Sequence, residues 1–290
     1  SRIKIISGLD ISERRLPQDG RVSLSLGDKS VDVRVSSLPS SYGERIVLRI
    51  LDKQAAQINI DDLGLPSKIL ANYKTSLKNP EGIILFTGPT GSGKTTTLYA
   101  GLRYLSDSSQ NILTVEDPIE YTLNGIGQTQ VNNKTGYTFA KGLRAILRQD
   151  PDIVMVGEMR DIETAQIGIQ SSLTGHLVLS TVHTNSAVAA ITRLRDMGIE
   201  SFLLASSLRT IISQRLVRRL CPHCKTKDKP SIKSIDIFGL DKNKSVYSAK
   251  GCDECNHTGY QGRIAIAECI QIDKTLKDFI HNNASENEIS

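Results

Sequence analysis

The sequence predicts an α/β protein whose main body is a doubly wound, mostly parallel sheet over residues 82–220. Three observations predict it. The runs "GIILFTG", "NILTVED", "DIVMVGE" and "HLVLSTVH" are each close to continuously apolar, as strands buried on both faces are. The stretches between them suit crossover helices, giving the alternation of a layered α/β fold. The first run leads into a glycine-rich loop and then a helical pattern, a strand–loop–helix unit.

The other elements follow in order. "RVSLSLGDKSVDVRVSS" alternates apolar and polar residues on both sides of "GDKS", which reads as a hairpin, and "ERIVLRIL" adds a third strand. Residues 1–52 are therefore expected to form a small α/β or mostly β N-terminal domain. "DKQAAQINIDDLGLPS" reads as a polar linker, and with a helix at Ser67–Leu77 it fills 53–81. Beyond the main domain, 221–262 is expected to be a metal-binding module and 263–290 a C-terminal helical segment.

At 290 residues the chain is long enough for two domains and a small third. With 39% hydrophobic and 23% charged residues it reads as soluble and globular. No apolar run approaches the roughly 18–20 residues of a membrane helix. The opening "SRIKIISGLD" has no export signal and no initiating Met, so a piece of a longer intracellular protein is expected. The net charge of +5 permits contact with acidic lipid or nucleic acid without arguing for either.

"GPTGSGKTT" carries the first chemistry: Gly88, Pro89, Thr90, Gly91, Ser92, Gly93, Lys94, Thr95 and Thr96 match G-x-x-x-x-G-K-[ST] between a strand (Ile83–Thr87) and a helix (Thr95–Leu105). Such a P-loop turns its N–H groups inward around phosphate, and the helix N-terminus adds positive potential. Lys94 is expected to reach the β- and γ-phosphates of ATP, and Thr95 to ligate Mg²⁺. Ligands gather at the carboxyl ends of parallel strands. Two acids sit at such ends, Glu116 in "ILTVEDPIEY" and Glu158 in "DPDIVMVGEMRD". We assign Glu116 to the attacking water and Glu158 to Mg²⁺; the spacing leaves the division between them open, because Gly157-Glu158 replaces the commoner strand-end Asp. His183 ends the fourth strand and is expected at the same edge, near the γ-phosphate; a satisfied core histidine is its alternative. His176 lies at the strand's other end and reads as structural or interfacial.

Cys221 and Cys224 in "CPHC", with Cys252 and Cys255 in "CDEC", form two knuckles that can close a tetrahedral Cys₄ site for structural Zn²⁺. Cys269 lies outside the pattern and reads as a small buried apolar residue.

Taken together, "TVEDPIEY", "RAILRQDPDIVMVGEMRD" and "TGHLVLSTVHTNSA" resemble the aspartate box, Walker B segment and histidine box of the secretion ATPases that power type II protein secretion and type IV pilus assembly. The likeness runs from "LPQDGRVSL" to "GYQGRIAIAE", almost the whole chain. It implies a RecA-like P-loop NTPase domain, preceded by the small α/β domain and followed by the Cys₄ zinc module. It implies a homo-hexameric ring in which arginines complete the nucleotide site between two moving domains. The matching positions are Arg34 and Arg49 in the first domain and Arg144 and Arg148 in the second; Arg21 is either structural or one of the group. In "VDVRVSS" Arg34 points away from its own valines. Arg144 and Arg148, at i and i+4, equally suit one exposed helix face.

The cysteine pairs favour the type II secretion branch, with pilus assembly motors as the rival. The implied setting is cytoplasmic, peripheral to the inner membrane through secretion-platform proteins. The domain that docks on such partners has no counterpart in this sequence, so weak hydrolysis and poor assembly are expected. Acidic phospholipids are a possible second contact for the basic surface, including Arg215, Arg218 and Arg219. The competing reading is a nucleic-acid translocase with a zinc ribbon. With 4% aromatics and no Trp the chain offers few stacking platforms, so no nucleic acid is expected.

Overall fold

A computed structural model of the chain describes residues 1–290 except 27–28, 52–57, 107–108, 240, 242 and 290. Part of the "GDKS" turn and the start of the linker lie outside the described residues.

After a short helix α1 (Arg2–Ile6), strands β1 (Gln18–Leu26), β2 (Lys29–Ser40) and β3 (Gly43–Leu51) pair antiparallel in that order. The alternation of β2 buries Val33 and Val35, while Arg34 pairs across the sheet with Arg21 and Arg49 on the opposite face. Three arginines therefore share one row of one sheet face.

Helix α2 (Ser67–Leu77) leads into the main sheet. Its strands are β4 (Gly82–Thr87), β5 (Ile112–Glu116), β6 (Gly127–Gln130), β7 (Ile153–Val156), β8 (Leu177–Val182), β9 (Leu208–Leu220) and β12 (Tyr260–Gln271), in the order β12-β9-β4-β8-β7-β5-β6. All neighbours are parallel except β12, which runs antiparallel along β9. Alternation explains the two-sided burial. Ile83 and Leu85 point into a core with α5 (Ile162–Leu173), α6 (Ala187–Asp196) and α7 (Ser201–Ser207). Ile84 and Phe86 point into another with α2 and α3 (Lys94–Leu105). A third cluster packs α4 (Phe139–Ile146) on β5 and β7 through Leu143, Val115 and Val154.

Tyr260–Gln271, divided beforehand between the metal module and a helical segment, is the twelve-residue edge strand of the main sheet. Its alternation is inverted: Ala265 is buried and Ala267 and Cys269 pack on the core, whereas Ile264 and Ile266 are exposed. Ala267 and Cys269 face the core that the strand shares with Tyr73 and Leu77 of α2. The cysteine module thus bulges from the β9–β12 hairpin, with a two-stranded ribbon of β10 (Thr226–Asp228) and β11 (Val246–Ser248) and helix α8 (Ile232–Phe238). Helices α9 (Lys274–His281) and α10 (Glu286–Ile289) close the chain. Among the described residues no helix is long and apolar enough to cross a membrane.

Candidate functional site

The register of the parallel strands brings the candidate residues to one edge. Thr87 lies level with Val182, Val156 with Ser180, and Val115 with Val156. The residues that follow each strand, the glycine loop, His183, Glu158 and the strand-ending Glu116, therefore meet at the carboxyl end of the sheet. They line one cavity of about 670 Å³.

The loop's shape depends on glycine at two positions. Gly88 and Gly93 have φ of 140° and 88°, and a Cβ on either would come within 2.3 Å and 2.8 Å of Gln214 atoms. Lys94 opens α3, is 8% exposed, and donates from Nζ to the carbonyls of Gly88 (2.7 Å) and Pro89 (3.1 Å). Burial pulls its pKa below the ordinary lysine value, and the nearby Glu158 carboxylate opposes that shift. Ser92 Oγ is buried in the loop with no hydrogen-bond partner among the described residues, the kind of orphaned polar atom that a phosphate oxygen satisfies. Thr95 and Thr96 line the same cavity.

The two acids differ in environment. Glu158 is mostly buried, pairs with Arg160 at 2.5 Å, and has its other oxygen 3.5 Å from His183 Nε2. His183 is half exposed in the cavity mouth, where a cavity-facing role fits better than a core one. His176, by contrast, contacts the Ser171 carbonyl through Nδ1 at 2.9 Å at the far end of β8. Glu116 is 3% exposed. Its Oε1 accepts from Thr114 Oγ1 (2.6 Å) and Gln128 Nε2 (3.0 Å), and its Oε2 accepts from the Tyr99 hydroxyl. Burial pushes its carboxyl above the usual range, against the pull of those three bonds.

Arg49 of β3 reaches this cavity, whereas Arg34 stands beside it in a second cavity that Arg49, Asp117 and Pro118 also line. Arg34 is engaged by Glu120 (2.8 Å) and the Ile119 carbonyl (3.0 Å), and Arg21 donates to the same carbonyl and to Gln130. Arg144 and Arg148 are not brought to either cavity. Arg144 pairs with Glu163 on α5 at 2.7 Å, and Arg148 donates back to the Arg144 carbonyl, as residues on one outer helix face do.

Three residues at or behind the cavity escaped sequence reasoning. Gln214 of β9, 2% exposed, donates to the Ser92 carbonyl (2.9 Å) and accepts from Thr97 Oγ1 (2.8 Å), clamping loop to helix. Its one sequence signal is a polar side chain inside the apolar run "TIISQRLV". Leu216 and Arg263, from β9 and β12, line the cavity beyond the loop.

Cys221, Cys224, Cys252 and Cys255 form the second candidate site, with all four Sγ atoms within 4.8 Å of one another. Three of the separations are 3.9, 3.8 and 3.7 Å. A tetrahedron with Zn–S bonds of about 2.3 Å has edges of about 3.8 Å, so the four sulfurs fit Zn²⁺. Backbone N–H groups of Gly251, Cys252 and Gly259 point at the sulfurs from 3.2–3.3 Å, as thiolate ligands require.

The profile described as "Type II/IV secretion system protein" matches residues 1–290. The chain is 57% identical over 288 residues to the type II secretion system ATPase E of Vibrio cholerae, covering 99% of this chain and 57% of that protein. It is 57% identical over 292 residues to the type II secretion system protein E of Pseudomonas aeruginosa, covering all of this chain and 58% of that one. It thus spans less than two thirds of the length of these relatives. Among solved structures, the pilus retraction motor PilT with bound ADP superposes with a TM-score of 0.67 at 30% identity, covering 91% of this chain and 67% of that one. The ATPase DotB of Legionella pneumophila, at 24% identity and a TM-score of 0.66, shares the fold, with 94% and 67% covered.

Proposed function

This chain belongs to the type II/IV secretion system protein family, and we propose that it is the ATP-hydrolysing part of a motor for type II protein secretion. The observation that carries this reading is the convergence of Lys94, Thr95, Glu116, Glu158 and His183 on one cavity that Arg49 enters from the separate three-stranded sheet. In it the loop N–H groups and Lys94 hold the β- and γ-phosphates. Thr95 and Glu158 are the residues placed to hold Mg²⁺, which when bound neutralises charge on the phosphoryl oxygens. Glu116 orients the attacking water, and His183 sits where it senses the γ-phosphate. Arg49, joined by Arg34 when it exchanges Glu120 for phosphate, stabilises the charge that develops in transfer; such arginines contribute about 10³–10⁵ in rate. Loss of the γ-phosphate then releases the first domain, and its rigid-body rotation is the working stroke.

In a homo-hexameric ring at the cytoplasmic face of the inner membrane, that stroke would drive secretion-platform proteins to extend a pseudopilus. The Cys₄ module, held by Zn²⁺, presents the basic surface for those partners or for acidic phospholipids. Type IV pilus assembly is the second reading; the solved relative is a pilus retraction motor, so its likeness supports the shared fold, and complementation of secretion-deficient and pilus-deficient strains separates the two. Lys94→Ala tests the site: it should stay folded and lose ATP turnover. Retained turnover would remove the reading, and DNA-stimulated turnover would favour a translocase.

A further inference from the structure

Glu116 can orient water only if its carboxylate has a fixed direction and a free lone pair. An ionised carboxylate offers about four acceptor positions. Thr114 and Gln128 occupy Oε1, and Tyr99 occupies one position on Oε2. The remaining acceptor position is therefore on Oε2, the oxygen that Tyr99 holds, on a side chain that lines the cavity.

Tyr99 is itself fixed. It stands on α3, the helix that opens with Lys94, and it is 1% exposed with its ring edge-on to Tyr121 at 4.7 Å. Its oxygen accepts from the Glu120 N–H (3.3 Å) and from Gln128 Nε2 (3.5 Å). With two donors aimed at the oxygen, its single hydrogen goes to Glu116. Burial pushes the phenol's pKa up, so this hydrogen stays in place.

We infer that Tyr99 is a positioning residue for hydrolysis, holding the Glu116 carboxylate so that its open lone pair meets the attacking water. The inference rests on the role proposed above for Glu116. The charged and titratable groups around that carboxylate are Glu120 and Tyr99, with Arg49, Lys94, Asp117, Glu158, His183 and Arg263 lining the same cavity. Of these, Tyr99 donates directly to Glu116.

The test uses Tyr99→Phe, Glu116→Gln and the double variant, with ATP as substrate. Tyr99→Phe preserves the ring and its packing; unchanged ATP affinity and a cooperative melt establish its fold. It should lower kcat tenfold to a hundredfold, the range expected for a misaimed group, with KM within twofold. Because the Tyr99 bond favours the charged carboxylate, the acid limb of the kcat–pH profile should move to higher pH. The double variant should be no slower than Glu116→Gln, since Tyr99 acts through Glu116. If Glu116→Gln is slow but Tyr99→Phe turns over like the parent, the Tyr99 inference alone falls. It also falls if the double variant is slower still. Parent-like turnover in Glu116→Gln would overturn the role of Glu116 and this inference with it.

Discussion

Replacing Gln214 by Leu should weaken nucleotide binding although Gln214 reaches the loop from behind. The substitution keeps most of the side-chain volume and removes two hydrogen bonds, to the Ser92 carbonyl and from Thr97. Thr97 Oγ1 retains the Gly93 carbonyl at 3.2 Å, but Ser92, only 3% exposed, loses the side-chain donor to its carbonyl. Two net hydrogen bonds at about 1 kcal/mol each, with up to ~2 kcal/mol more for an orphaned buried carbonyl, give about 2–4 kcal/mol. If the whole loss falls on reordering the loop when nucleotide binds, Kd rises about 30- to 700-fold, at ~1.4 kcal/mol per decade. If it falls on the unbound fold, the melting temperature drops instead. Titration with a fluorescent ATP analogue, paired with thermal melting, reads both. An unchanged Kd together with an unchanged melting temperature would refute the clamp.

Three further outcomes follow from the same geometry. Glu116→Gln should melt higher than the parent at pH 8. The parent's raised carboxyl pKa means that its contribution is intact below the unfolded value, near 4.5, and is lost as pH rises through the folded one. The gap in melting temperature should therefore close as pH falls towards 4.5, and a pH-independent gap would contradict the assignment of cause. Arg49→Ala should lower kcat by about 10³ or more while ADP affinity holds, read by steady-state kinetics and titration. Cys255→Ser should lose its zinc on metal analysis and expose residues 221–259 to protease, since such sites contribute on the order of 10 kcal/mol to their modules.

Features written in local sequence were legible, and those that depend on distant pairing were not. The phosphate loop could be read because its conformation demands glycine at Gly88 and Gly93, and the strand ends because two-sided burial produces unbroken apolar runs. Glu116, Glu158 and His183 followed from strand ends alone, since parallel register aligns them. Gln214 lies 122 residues from Ser92, and Gln128 twelve from Glu116; nothing in their immediate neighbours names those partners. Strand β12 is illegible in its pattern because Ala265, Ala267 and Cys269 face inward while Ile264 and Ile266 are exposed, the reverse of the usual pattern. Helical spacing put Arg144 and Arg148 on one face without saying which way it turned; it faces Glu163.

On the proposed function, one triphosphate is gripped both by the phosphate loop and by the arginine-bearing sheet, so that its hydrolysis changes their relative position. The distance between labels at the exposed positions Tyr42 and Gln170 tests this directly across the ATP-analogue, ADP and nucleotide-free states. A distinct, shorter distribution is expected with the ATP analogue, abolished in Arg49→Ala. One distribution common to all three states would contradict it.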